Sequence, residues 1–229
     1  MESASELGNL LIISPHPDDA VFSCGEVLAC RRSTFVMAMF DGTPPPSLPL
    51  TAWDAAAGFA STQNAMVGRR EENMRALALL HVTQLSLDFV GSQYGDPPST
   101  VGLAEAIADV LDAENPDTVM LPAGLYHTDH ILTHQAALMA RTRNPDRQWL
   151  MYEEMQYRRI PGQLQQRLTG LIHFGIDATP VAFDTHAQAE RKRHAMQCHA
   201  SQLRALASRG RPGHGDIYAP EGYWRLGAA

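Results

Sequence analysis

Ser14-Pro15-His16-Pro17-Asp18-Asp19 sets one imidazole and two carboxylates directly after the apolar run Leu10-Leu11-Ile12-Ile13. Residues of these types, so closely spaced, can hold a divalent metal or move protons. A second cluster, His127-Thr128-Asp129-His130, follows another apolar run, Thr118-Val119-Met120-Leu121. His16 and Asp19, three apart at the mouth of a helix, can converge on one point, and His130 offers an imidazole from the second cluster. A His, Asp, His set supplies three protein ligands and leaves a position for water, as catalytic zinc sites do. Such a site keeps a net positive charge, which favours ionisation of that water near neutral pH. Asp18 then stands beside the metal as a general base. His127 can donate a hydrogen bond to a developing oxyanion or a proton to a leaving amine, and Asp129 can hold an imidazole in one tautomer.

Plainer readings accompany each of these. Asp18 and Asp19 suit a helix N-cap pair, which is compatible with ligation. Arg69 and Glu72 suit an i, i+3 ion pair on a helix surface, or Arg69 reaches a ligand in a cleft. His134 lies one turn beyond His130, but Ile131, Leu132 and Thr133 lack the glutamate a two-histidine zinc helix uses as base, so it reads as helix surface or as support behind the ligands. His81, His173, His186, His194, His199 and His214 read as surface or core residues.

The elements that must position these groups are legible in the hydrophobic pattern. Leu10 to Ile13 reads as a buried strand and Ala20 to Cys30 as a helix. Thr34 to Phe40 is a second strand, Gln84 to Val90 a third, Thr118 to Leu121 a fourth, and Trp149 to Tyr152 and Thr179 to Phe183 two more. Asn64 to His81 is helical, with Met66, Arg69, Glu72, Asn73, Ala76, Leu77 and Leu80 on one face. Ser99-Thr100 caps a helix over Val101 to Glu114, another runs from the His127 cluster through Arg141, and the last long helix spans Ala187 to Ala207. The proline-dense Thr43 to Pro49 opens a loop reaching Thr62. Strands alternating with helices predict an α/β, Rossmann-like, mostly parallel sheet flanked by helices, with both polar clusters at strand carboxyl ends, where open sheets bind ligands.

The 229-residue chain, 45% hydrophobic and 19% charged, is an ordinary globular composition and is expected to form one domain over 1–229. A net charge of -7 disfavours a nucleic-acid partner. Arg69-Arg70 and Arg191-Lys192-Arg193 are short clusters, the latter read as a solvated helix face. Cys24, Cys30 and Cys198, odd in number and without metal spacing, read as small core residues in a reducing compartment. No apolar run approaches the ~20 residues of a membrane span and no leader is evident, so the expectation is a cytoplasmic protein.

His16-Pro17-Asp18-Asp19, Arg69-x-x-Glu72-x-x-x-Ala76 and His127-x-Asp129-His130 together resemble the LmbE-like, or PIG-L, deacetylases, with weaker echoes in Tyr152-Glu153-Glu154, His199-Ala200-Ser201-Gln202 and Pro220-Glu221-Gly222-Tyr223-Trp224. The resemblance implies a Rossmann-like fold and a zinc-dependent hydrolase removing acetyl from N-acetylated amino sugars. Carried across, it makes His16, Asp19 and His130 the metal ligands and Asp18 the base. His127 becomes oxyanion stabiliser or acid, supported by Asp129, and Arg69 a contact to sugar hydroxyls. Three positions depart from the family pattern: Ala20 where many members carry glutamate, Leu125 with Tyr126 where some place the tyrosine one residue earlier, and His81 where a glycine often closes the helix. The expected substrate is an N-acetylglucosamine-type amino sugar or glycoside, and the expected metal is zinc or ferrous iron. The rivals are an amidase acting on a non-acetyl amide such as a thiol conjugate, and a sugar-binding module without turnover. Specificity is expected from Gly42 to Thr62 and from the segment around Gly210 to Trp224; a homo-oligomer is left open.

Overall fold

A computed structural model describes residues 1–31, 33–210 and 215–227. Its strands form one seven-stranded sheet in the order β3-β2-β1-β4-β5-β7-β6. These are β1 (Leu10–Ser14), β2 (Thr34–Ala38), β3 (Thr83–Ser86), β4 (Thr118–Pro122), β5 (Gln148–Tyr152), β6 (Ala178–Val181) and β7 (Tyr223–Leu226). The first five are mutually parallel, while β7 runs antiparallel to both β5 and β6. The two central strands explain the architecture. Every residue of β1 and β4 is buried, because helices cover both faces of the sheet, and a strand buried on both faces reads as an unbroken apolar run.

Eight α-helices surround the sheet among the described residues: α1 (Asp19–Ala29), α2 (Ala52–Ala57), α3 (Thr62–Leu80), α4 (Thr100–Glu114), α5 (Thr128–Arg143), α6 (Gln163–His173), α7 (Ala189–Gln197) and α8 (Ala200–Leu206). Their packing divides the core into two layers. One joins Ile12 and Met120 to Phe22, Val27 and Leu77; the other joins Ile13 and Leu121 to Ile107, Ala136 and Ala137. The predicted α3 face is the buried one: Met66, Arg69, Glu72, Asn73, Ala76, Leu77 and Leu80 all point inward. Ser99 caps α4 as expected, its hydroxyl accepting the Gly102 amide.

Several expectations change. The loop to Thr62 contains α2, capped by Thr51. α6 and β7 form where no element was expected. The predicted last helix is two, α7 and α8, separated around Cys198-His199. Lys192 is not on a solvated face: it is buried against Glu221, Nζ to Oε1 at 2.7 Å. That carboxylate also accepts the Glu26 amide (2.9 Å) and the Tyr223 hydroxyl (2.6 Å), tying the C-terminal segment to α1 and α7. The cysteines are free, but only Cys24 is buried. His214, and residues 211–214 within the segment expected to confer specificity, lie outside the described residues. No helix is long and apolar enough to cross a membrane.

Candidate active site

Chain direction reverses its lateral progress between β1 and β4: from β1 the strands go one way through β2 and β3, and from β4 the other way to β5. This is a topological switch point, where the loops at the strand carboxyl ends part and leave a crevice. Both polar clusters fall there, His16 to Asp19 after β1 and His127 to His130 after β4.

The turn after β4 is built for a sharp exit. Gly124 (φ +71) and Tyr126 (φ 61) are both left-handed, and a side chain at 124 would collide with His134. One oxygen of Glu154 holds this turn, accepting the amides of Gly124 (2.8 Å) and Leu125 (3.0 Å), and the same oxygen meets His130 Nδ1 at 3.2 Å. His127 is the N-cap of α5, its Nδ1 accepting the Asp129 amide at 3.2 Å.

The seven expected residues converge. His130 Nε2 lies 3.2 Å and His16 Nδ1 3.3 Å from the same Asp19 oxygen, Oδ2. The far nitrogen of each imidazole is held by another carboxylate: His16 Nε2 by Asp129 Oδ2 at 2.8 Å, and His130 Nδ1 by Glu154. Asp129 is itself fixed by the Ser92 amide (3.0 Å), and Asp19 Oδ1 accepts Gln156 Nε2 (2.9 Å). One coordinating atom from each of His16, Asp19 and His130 lies within 4.8 Å of the others. Two neutral-capable imidazoles with their outer N–H groups on carboxylates, turned toward a third carboxylate, are the donor chemistry that a divalent metal requires. These residues fit such an ion.

Electrostatics favour positive charge at this point. Burial opposes charge on His16, but Asp129 and Asp19 outweigh it and raise its pKa; burial is likewise overcome at His130, which Asp19 and Glu154 push up to about 10. Asp19, despite burial, is held well below the ordinary carboxylate range by His130 and His16. His127 behaves oppositely, pushed down to about 3 by burial and then by His16 and His130. It is a neutral ring whose Nδ1 accepts an amide, so its proton is on Nε2.

Asp18 occupies the N-cap position of α1 without a side-chain capping bond. Its Oδ1 meets Arg69 Nη2 at 3.4 Å, both groups being buried. The expected Arg69–Glu72 surface ion pair therefore does not form, while Arg69 does line the cleft as the other reading expected; Glu72 instead accepts the amide (2.8 Å) and hydroxyl (2.6 Å) of Ser201. Asp129 lies 3.9 Å from His127 Nδ1, so the imidazole it grips is that of His16 and not that of His127. His134 is fully buried, its Nδ1 on the Pro122 carbonyl.

A cavity of about 240 Å³ opens over this cluster, lined by His16, Asp18, Asp19, Arg69 and His127 and walled by Trp53, Gln93, Tyr126, Gln156, Tyr157 and Gln202. Sequence reasoning gave no individual role to Glu154, Gln156 or Trp53, although Trp53 lies in the Gly42 to Thr62 segment expected to confer specificity. The Glu154 signal was present, a paired glutamate just beyond β5, next to β4 in the sheet; Gln156 and Trp53 carry no spacing that marks them.

A sequence profile described as PIG-L, GlcNAc-PI de-N-acetylase, matches residues 11–141, and the chain belongs to this family. It is 28% identical over 151 residues to the 2'-N-acetylparomamine deacetylase of Streptomyces fradiae, covering 56% of this chain and 50% of that protein, so the chain spans about half the length of this curated relative. Among solved structures, the zinc-inhibited form of the teicoplanin deacetylase Orf2 superposes with a TM-score of 0.78 at 22% identity, over 96% of this chain and 98% of that one. The 4-carboxy-2-hydroxymuconate hydratase GalB of Pseudomonas putida gives 0.61 at 18% identity, over 95% of each. At these identities the structural likeness shows the fold alone, and one fold carrying both a deacetylase and a hydratase leaves the reaction to be argued from the site.

Proposed function

We propose that the chain, read as one catalytic domain over 1–229, hydrolyses the acetamide of an N-acetylated amino sugar or its glycoside, an N-acetylglucosamine-type substrate, to acetate and a free amine. The observation that carries this reading is the division of labour around Asp19. His16, Asp19 and His130 face one another with their outer atoms already held, while Asp18 stands next to them outside that set. Membership of the family and the similarity to an N-acetylparomamine deacetylase support it.

His16, Asp19 and His130 would hold zinc or ferrous iron, both of which accept imidazole and carboxylate ligands. Bound there, the ion supplies Lewis-acid polarisation of the acetamide carbonyl and lowers the pKa of water. Asp18 takes a proton from the attacking water, and the Arg69 guanidinium beside it holds the carboxylate in place. His127 donates its Nε2 proton as a hydrogen bond to the carbonyl oxygen as negative charge develops there. The proton collected by Asp18 passes on to the leaving nitrogen, directly or through His127. Asp129 keeps His16 in one tautomer, and Arg69 reaches sugar hydroxyls from the cavity wall.

The test is acetate release from N-acetylglucosamine and its glycosides by protein of known metal content. Turnover that follows zinc or iron occupancy and yields acetate is expected. Release of a larger acid from thiol-linked amides in place of acetate identifies the amidase reading, and binding without release identifies a sugar-binding module.

A further inference from the structure

α2, within the proline-led segment, carries Trp53 into the cavity wall, where it meets Gln202 of α8. A chain of hydrogen bonds fixes the indole. Trp53 Nε1–H donates to Gln202 Oε1 (2.9 Å), Gln202 Nε2–H donates to Ser201 Oγ (2.8 Å), and the Ser201 hydroxyl donates to Glu72 Oε2 (2.6 Å). The direction of each bond follows from its end. An ionised carboxylate only accepts and an indole only donates, so the serine hydroxyl must point to Glu72, its lone pair must take the amide nitrogen, and the amide oxygen must face Trp53. Flipping Gln202 would break both of its bonds. Glu72, Ser201 and Gln202 are buried, and the links join α3, α8 and α2, with α8 and α2 tied again where Arg204 Nη1 donates to the Ala57 carbonyl at 2.8 Å.

An aromatic ring held at one angle beside polar floor groups is the chemistry that receives a pyranose: the apolar C–H face lies on the indole while hydroxyls turn to Arg69 and Gln93. We propose that Trp53 is a specificity-determining platform for the closed ring that bears the acetamide, and that Glu72, Ser201 and Gln202 are the positioning residues that set its plane. This refinement rests on the deacetylase reading of the site.

The experiment compares binding of methyl N-acetylglucosaminide with its ring-opened counterpart N-acetylglucosaminitol, by titration calorimetry on the full chain, alongside acetate release from both. Wild type should prefer the closed ring by about tenfold, the worth of one good stacking contact. Trp53→Ala and Gln202→Leu should collapse this ratio toward one, Ser201→Ala should lower it, and Ser201→Thr, which keeps the hydroxyl, should restore it. Trp53→Phe, which keeps a ring without the N–H, should fall between wild type and alanine and guards against misfolding of the alanine variant. An unchanged preference in Trp53→Ala, or no binding of either ligand by wild type, overturns the platform. Closed-ring preference in binding without acetate release retains the platform and overturns the hydrolytic reading.

Discussion

His16 and His130 each spend one nitrogen on a carboxylate, Asp129 and Glu154, and it is this outer pair that holds the two rings in orientation. Removing such a partner typically weakens metal binding by about 10- to 100-fold. Asp129→Ala and Glu154→Gln should both show that loss in chelator competition, and Glu154→Gln should also loosen the β4–α5 turn, because the same oxygen holds Gly124 and Leu125. Asp18→Ala should behave differently: metal content unchanged, acetate release down by about 10²- to 10⁴-fold, the usual worth of a general base. His16→Ala should lose metal and activity together. Near-full activity of Asp18→Ala at saturating zinc would sink the mechanism. The convergence of His16, Asp18, Asp19, His127, Asp129 and His130 was legible because all lie at strand-to-helix junctions, which topology brings to one edge of the sheet. The partners of Asp129 and Glu72 were not legible, since sequence distance is no guide to which imidazole or hydroxyl a buried carboxylate will face.

Among the elements, α1 bears the most on the site, since Asp18 and Asp19 open it, and its far half is anchored by the Lys192–Glu221 pair. Both side chains are almost wholly enclosed, so breaking the pair strands a buried charge. Lys192→Met should destabilise the fold by about 3 kcal/mol or more in urea unfolding, and replacing both partners by apolar residues should cost less than the sum of the two single changes, although any apolar residue at Glu221 also strands the Glu26 amide and Tyr223 hydroxyl. A loss in the double variant equal to the sum of the two single losses would show that the pair is not coupled. The basic cluster Arg191-Lys192-Arg193 reads as surface because charge runs usually are; burial of its middle lysine becomes visible only with Glu221, far along the chain. The central strands β1, β2 and β4 were legible because each carries a mainly apolar run, whereas the expected third strand, Gln84 to Val90, forms as the polar, part-exposed Thr83–Ser86. β7 was missed for the opposite reason: Tyr223-Trp224-Arg225-Leu226 is short, half-exposed and next to the sheet edge, and its pattern resembles a loop. The split of the last helix into α7 and α8 was hidden because Cys198-His199 contains no glycine or proline to announce the break.

Across the whole molecule, histidines held neutral by burial, His134 and His199 together with His127, set a dependence on acid. Burial pushes His134 down to about 3 and His199 down to about 4, against 6.5 for the ordinary side chain. Both are neutral when folded and become protonated on unfolding at mildly acidic pH. The unfolded chain then binds more protons, so stability rises with pH across that interval, is complete above the ordinary histidine range and is lost as pH falls from about 6 toward 4. Metal-free His16 and His130, whose pKa values are raised, are protonated in both states over most of this window and add little to the slope. Melting temperature should therefore drop steeply below about pH 6. His134→Asn, which can keep a donor toward the Pro122 carbonyl, should flatten the curve; an unchanged slope would exclude His134 as its source. The pairing of β1 with β4 carries one more consequence, for the order of events as the chain is made. Leu10 pairs with Thr118, so the strands that bear the two halves of the site join across more than a hundred residues of intervening chain. Closing so long a loop is slow and comes late relative to local helix formation. A nascent or truncated chain ending before β4 would carry His16, Asp18 and Asp19 with nothing to complete them, so catalytic competence and completion of the central sheet should appear in the same kinetic phase.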